Sequence, residues 1–110
     1  MAEFIKGDIV VVPFPFSNLS QVKKRPAFVV NNLAGDDLIL CQITSQTIKD
    51  KYSVAIKKSD FTFGNLSVNS NIRPNRIFTA DKNIIFYKVG SISENKTKEV
   101  IQKIIEIIKS

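Results

Sequence analysis

The run Ile9-Val10-Val11-Val12, entered through Gly7-Asp8 and followed by Pro13 and Pro15, constrains this chain more than any other stretch. Four consecutive β-branched residues leave no polar face, so the segment reads as a strand covered on both sides. At 110 residues the chain has room for one core, and a single domain over 1–110 is expected. Pro13 and Pro15 lack the N–H that a ladder needs and are expected to end the strand. Residues 17–24, polar and basic with turn formers at the start, read as a long exposed loop.

Beyond Pro26, residues 27–30 read as strand, 31–37 with Gly35 as a turn, and 38–43 as the returning strand of a hairpin. A weaker strand is predicted over 52–56, after a basic connector at 45–51. Further strands are expected over 70–78 and 84–89, with Gly90 ending the second. The last segment changes period: Val100, Ile101, Ile104, Ile105, Ile107 and Ile108 fall within an arc of about 160° on a helical wheel. This predicts a helix whose isoleucine face covers one end or side of the sheet. Ser91 with Glu94 matches a capping box, and Ser93 is an equally good N-cap. Five to seven short strands and one terminal helix predict a mainly β chain with a C-terminal helix, built as a small, bent antiparallel barrel.

The composition removes much chemistry. Cys41 is the single cysteine and histidine is absent, so there is no intramolecular disulfide, no thiol-based zinc site, and no Ser-His or Cys-His dyad. A reducing, cytoplasmic location is expected, and no apolar run approaches a membrane span. Sixteen Lys and Arg against ten Asp and Glu give a net charge of +6. The pI of 9.6 fits a polyanionic partner, though a merely solubilising surface has the same signature.

The cationic side chains cluster at Lys23-Lys24-Arg25, at Lys57-Lys58, and at Arg73 with Arg76. A guanidinium fork binds phosphate in bidentate fashion, but it also serves in surface ion pairs. Phe14, Phe16, Phe61, Phe63 and Phe78 interleave with these clusters, either as core or as stacking surfaces for splayed bases. Thr44-Ser45-Gln46-Thr47 stands where a buried strand ends, and such hydroxyls cap strands or meet a ligand. If the hairpin returns as drawn, Arg25 and Thr44 lie side by side at one rim.

The string from Gly7 to Phe16, then Lys24-Arg25-Pro26-Ala27-Phe28-Val29-Val30, then Ile43-Thr44-Ser45, resembles the MazF/PemK-like toxins of bacterial toxin–antitoxin pairs. The segment from Ile72 to Lys82 and the closing Lys88-Val89-Gly90-Ser91-Ile92-Ser93 look like the same family, so the resemblance covers nearly the whole chain in order. It implies an SH3-like barrel that forms a homodimer, cuts single-stranded RNA without metal or other cofactor, and is silenced by a cognate antitoxin. In such enzymes the ribose 2′-hydroxyl attacks the adjacent phosphate, leaving a 2′,3′-cyclic phosphate and a 5′-hydroxyl. An internal nucleophile needs orientation, charge stabilisation and proton transfer, none of which requires histidine.

Carried over by matching motif, Arg25 is the principal catalytic residue and Thr44 its partner hydroxyl. The substrate contacts implied beside them are Lys24, Ser45, Gln46, Arg73, Asn75, Phe16 and Ser17. Some relatives carry a histidine in the first loop and an aspartate two residues after the late arginine. Here the loop has no histidine and Asn75 replaces the acid, which keeps hydrogen bonding but removes a base, so catalysis leans on Arg25 and Thr44. The antitoxin is expected to be an acidic, partly disordered segment that folds onto the rim over the loops 17–24 and 45–51. A second class stays open on the same barrel: a non-catalytic module that holds RNA or poisons a partner such as DNA gyrase, as a related fold group does.

Overall fold

The computed structural model describes residues 3–14 and 23–110. Among these, seven strands and one long helix follow in the order β1 (Asp8–Phe14), β2 (Lys23–Asn32), β3 (Asp37–Thr44), β4 (Val54–Ile56), β5 (Phe61–Gly64), β6 (Ser70–Asp81), β7 (Tyr87–Ile92) and α1 (Glu94–Lys109). The strands form one sheet in the order β4-β6-β3-β2-β1-β7-β5, and every neighbouring pair is antiparallel. Its two edge strands, β4 and β5, are consecutive in sequence and joined only through Lys57 and the 3₁₀ turn Lys58–Asp60. A flat seven-stranded sheet is about 29 Å across, whereas so short a link reaches about 18 Å at full extension. The sheet therefore curls into a half-barrel, as the sequence predicts.

Strand parity divides the apolar side chains into two clusters. Ile9, Phe28, Cys41, Ile43, Ile72, Val54 and Ile56 face the helix and pack with its Val100 and Ile104. Val10, Val12, Ala27, Val29, Leu38 and Leu40 occupy the other face, with Phe4, Phe14, Phe78 and Ile85 packed against them. The β1 run is thus buried on both sides, as its lack of a polar face requires. Phe14 and Phe78 meet edge to face, with ring centroids 4.9 Å apart. Both pack against the core of that face and remain partly exposed.

Several expectations are corrected. Pro13 does not end β1, which pairs with β2 as far as Phe14. The Val11 carbonyl accepts the Phe86 N–H on the β7 side, and pairing with β7 stops at Val11. Pro13 shares the parity of Val11, so its missing N–H falls on an open edge. β2 begins at Lys23, within the stretch read as loop, and residues 17–22 lie outside the described residues. The strand expected at 52–56 shortens to Val54–Ile56, because the Asp50 carboxylate accepts the N–H groups of Tyr52 and Ser53 and turns them out of a ladder.

β5 was not foreseen. It pairs with β7 across Gly90, which lies inside β7 rather than ending it. A Cβ at Gly90 would stand 2.4 Å from the Phe63 carbonyl oxygen, so the two backbones approach each other only because a glycine is there. The helix starts with Ser93 as N-cap, its hydroxyl accepting the Lys96 N–H. Ser91, the other candidate, instead donates its hydroxyl to Asp8 Oδ1. Only one line of the isoleucine face is covered: Thr97, Val100 and Ile104 are buried, while Ile105 and Ile108 remain 41% and 69% exposed.

Asp8 is the one buried carboxylate among the described residues. Besides Ser91, it accepts the Ile5 N–H at 2.9 Å and meets Lys88 Nζ at 3.1 Å, both through Oδ2. This knot ties the approach to β1 to strand β7, and its Ile5 and Ser91 also border a cleft of about 790 Å³ against the helix. No helix of the described residues is long and apolar enough to cross a membrane.

Candidate active site

The site forms where β1, β2, β3 and β6 reach one end of the sheet. Ala27 and Val29 point into the cluster away from the helix, so Arg25, two residues earlier on β2, lies on that face. Leu38 and Leu40 fix the same face for Gln42 and Thr44 on β3. On β6, Arg73 pairs with Gln42 and Asn71 with Thr44. The β2–β3 ladder ends at Ala27 opposite Gln42, and Arg25 and Thr44 each lie two residues beyond this last pair, on the same face. Apolar residues line this face through the middle of the strands. Beyond them it presents Arg25, Thr44, Asn71 and Arg73.

Local hydrogen bonds shape the β3 end. Thr44 Oγ1 accepts the Gln46 N–H at 3.1 Å, a short side-chain turn that leaves the hydroxyl proton to donate elsewhere. The Asn71 amide donates to the Gln46 carbonyl at 3.0 Å, pinning the loop to β6. Ser45 and Gln46 are exposed immediately beyond the pair. Ser45, Thr47, Asn69 and Asn71, with Lys57 and Lys96, also line an adjoining polar pocket of about 470 Å³.

Arg73 is held from the connector. Its Nη2 lies 3.4 Å from Asp50 Oδ2, with the two side chains 17% and 26% exposed. Partial burial pushes the Asp50 carboxyl up. The N–H groups of Tyr52 and Ser53 and the Arg73 guanidinium outweigh this and hold it below the ordinary carboxylate range. Arg73 Nε is buried without an acceptor among the described residues.

Not every residue named from the sequence joins this group. Lys24 immediately precedes Arg25 on the strand and so has the opposite parity, and its ammonium lies 5.2 Å from the Phe86 ring and 5.9 Å from Tyr87. It belongs to the other side of β2. Asn75 is exposed in a bulge: β6 pairs Arg73 with Gln42 and Ile77 with Cys41, so residues 74–76 have no counterpart on β3. Phe16 and Ser17 lie outside the described residues. Sequence reasoning missed Asn71 and Asp50. Parity counted back from Arg73 identifies the first. The second is the only acid in the basic connector 45–51.

The fold is shared by several solved toxins. An endoribonuclease in complex with its cognate antitoxin from a mycobacterial species matches with a TM-score of 0.75 at 13% identity, over 99% of this chain and 96% of that one. The MazF of a MazE–MazF structure from Deinococcus radiodurans matches with a TM-score of 0.77 at 16% identity, over 96% and 95% of the two chains. The Mycobacterium tuberculosis toxin MazF-mt6 matches with a TM-score of 0.73 at 11% identity, over 93% and 96%. A model of the PemK-like, MazF-like toxins of type II toxin–antitoxin systems matches residues 5–108, and the chain belongs to that family. No curated protein matches it.

Proposed function

We propose that this protein is the toxin of a toxin–antitoxin pair and acts as an endoribonuclease on single-stranded RNA without metal. The observation that carries this reading is the convergence of Arg25, Thr44, Asn71 and Arg73 on one face at one end of the sheet. Two guanidinium groups and a hydroxyl with its proton to give suit a phosphodiester passing through a pentacoordinate, more negative state. The ribose O2′ attacks the neighbouring phosphorus, the O2′–P bond forms, and the P–O5′ bond breaks. The 2′-hydroxyl proton leaves to water, and the departing O5′ takes one up. Arg25 serves by stabilising the phosphorane, since a guanidinium keeps its positive charge in proteins. Thr44 donates to a non-bridging oxygen, and Arg73 holds the phosphate.

The pocket beside Ser45 and Asn71 takes a base next to the scissile phosphate. Its amides and hydroxyls supply both donors and acceptors for a base edge, and Lys57 offers a cation beside the Asp60 carboxylate, while Lys96 is paired with Glu99. The partners in this reading are an acidic antitoxin segment, favoured by the +6 charge, and a second copy of the chain. Two of the structural relatives are complexes with an antitoxin or a MazE.

The test is incubation of wild type and Arg25→Ala with a long single-stranded RNA in EDTA, followed by mapping of the ends. Wild type is expected to leave cyclic-phosphate 3′ ends, and Arg25→Ala to cut about 10²- to 10³-fold more slowly. A wild type that cuts nothing yet arrests growth sinks the nuclease reading and turns the search to a protein target.

A further inference from the structure

Asp50 stands alone as an acid between Lys49 and Lys51, and its two oxygens face different parts of the molecule. Oδ1 accepts the N–H groups of Tyr52 and Ser53 at 2.9 and 3.0 Å and so closes the turn that leads to β4. Oδ2 meets Arg73 Nη2 at 3.4 Å. Strand register sets where the Arg73 backbone lies, opposite Gln42 on the face that carries Thr44. Register does not set where the guanidinium lies, since four side-chain torsions separate it from the strand. Among the described residues Asp50 is the one acceptor that engages the fork, while Nε is buried without a partner. A carboxylate anchored by two backbone N–H groups is a rigid stop for a long side chain, and it fixes that side chain before any phosphate arrives.

We propose that Asp50 is a positioning residue: through Oδ2 it holds the Arg73 guanidinium in place on the phosphate-binding face, while Oδ1 does the separate work of closing the turn. The proposal rests on the nuclease reading above. It differs from a purely structural role because the two oxygens are separable by substitution. In Asp50→Asn the amide oxygen keeps the Tyr52 and Ser53 bonds, and the amide nitrogen turns a donor toward the Arg73 donors.

The experiment measures kcat/KM on a single-stranded RNA for wild type, Asp50→Asn, Arg73→Ala and the double variant, after circular dichroism shows that each is folded. Asp50→Asn is expected to lose about tenfold in kcat/KM. The same change added to Arg73→Ala is expected to lose nothing more, because its effect passes through a side chain already gone. The proposal is overturned if Asp50→Asn cuts as fast as wild type. It is equally overturned if the loss is the same factor with and without Arg73, which assigns Asp50 to the turn alone. A wild type that cuts no RNA fails the nuclease reading itself, an outcome distinct from either.

Discussion

The peptide of Gln46 is gripped from both sides, its N–H by the Thr44 hydroxyl at 3.1 Å and its carbonyl by the Asn71 amide at 3.0 Å. The hydroxyl that we assign to the scissile phosphate therefore also fixes the first residues of the loop that leaves β3. Thr44→Val keeps the shape of the side chain and removes both roles. It is expected to cut RNA at least tenfold more slowly and to cost about 1 kcal/mol of stability. Thr44→Ser, which retains the hydroxyl, is expected to stay within a few-fold of wild type. Single-turnover cleavage rates on one defined RNA check both.

Asp8 makes a contrasting prediction, since its partners are structural. Asp8→Ala leaves the Ile5 N–H and Ser91 hydroxyl without their acceptor and Lys88 without its counter-ion. Lys88 is part-exposed, so the main cost is that of the donors left without their acceptor, about 2 kcal/mol, read as a shift of the urea midpoint. The folded fraction of Asp8→Ala, assayed at low temperature, is expected to retain the wild-type cleavage rate.

The Cys41 thiol is enclosed in the sheet core, and burial pushes its pKa up to about 12. A free thiol ionises near pH 8.5, so between those values the unfolded chain loses a proton that the folded one keeps. The contribution of Cys41 is therefore intact below about pH 8.5 and declines as the pH rises toward 12. Native protein at pH 8 is expected to react with a thiol reagent only as fast as it opens, and promptly in denaturant. Rapid native labelling contradicts this.

Asp50 has the opposite sign. Its carboxyl is held below the ordinary range in the folded chain, so the stability it adds is present above about pH 4 and disappears as the pH falls through the lowered value. In thermal melts, wild type is expected to exceed Asp50→Asn near neutrality, with the gap closing in acid. A gap that persists at pH 2 excludes ionisation of Asp50 as its source.

What the sequence made legible follows the range of the interactions involved. The doubly buried β1 run, the β2–β3 hairpin and the terminal helix depend on residues close in the chain, and the hairpin alone brings Arg25 toward Thr44. The contact between Asp50 and Arg73 spans a connector that folds back on β6, and no local pattern encodes such a return. β5 escaped because four residues, three of them exposed, show neither length nor alternation. Its pairing depends on a glycine in a strand formed later in the chain. Lys24 was grouped with Arg25 by adjacency in sequence, and in an extended strand adjacency places side chains on opposite faces. Residues 15–22, with Phe16 and Ser17, lie outside the described structure.

The bulge at residues 74–76 gives β6 two independent halves. Residues 71–73 meet β3 at its site end, residues 77–81 meet it along the core, and the slack between them absorbs any offset. A residue gained or lost in that slack does not slide Arg73 past Gln42 or Phe78 past Leu40. One strand can thus diversify at its site end while its core half stays in step, so a new ligand preference does not require a new fold.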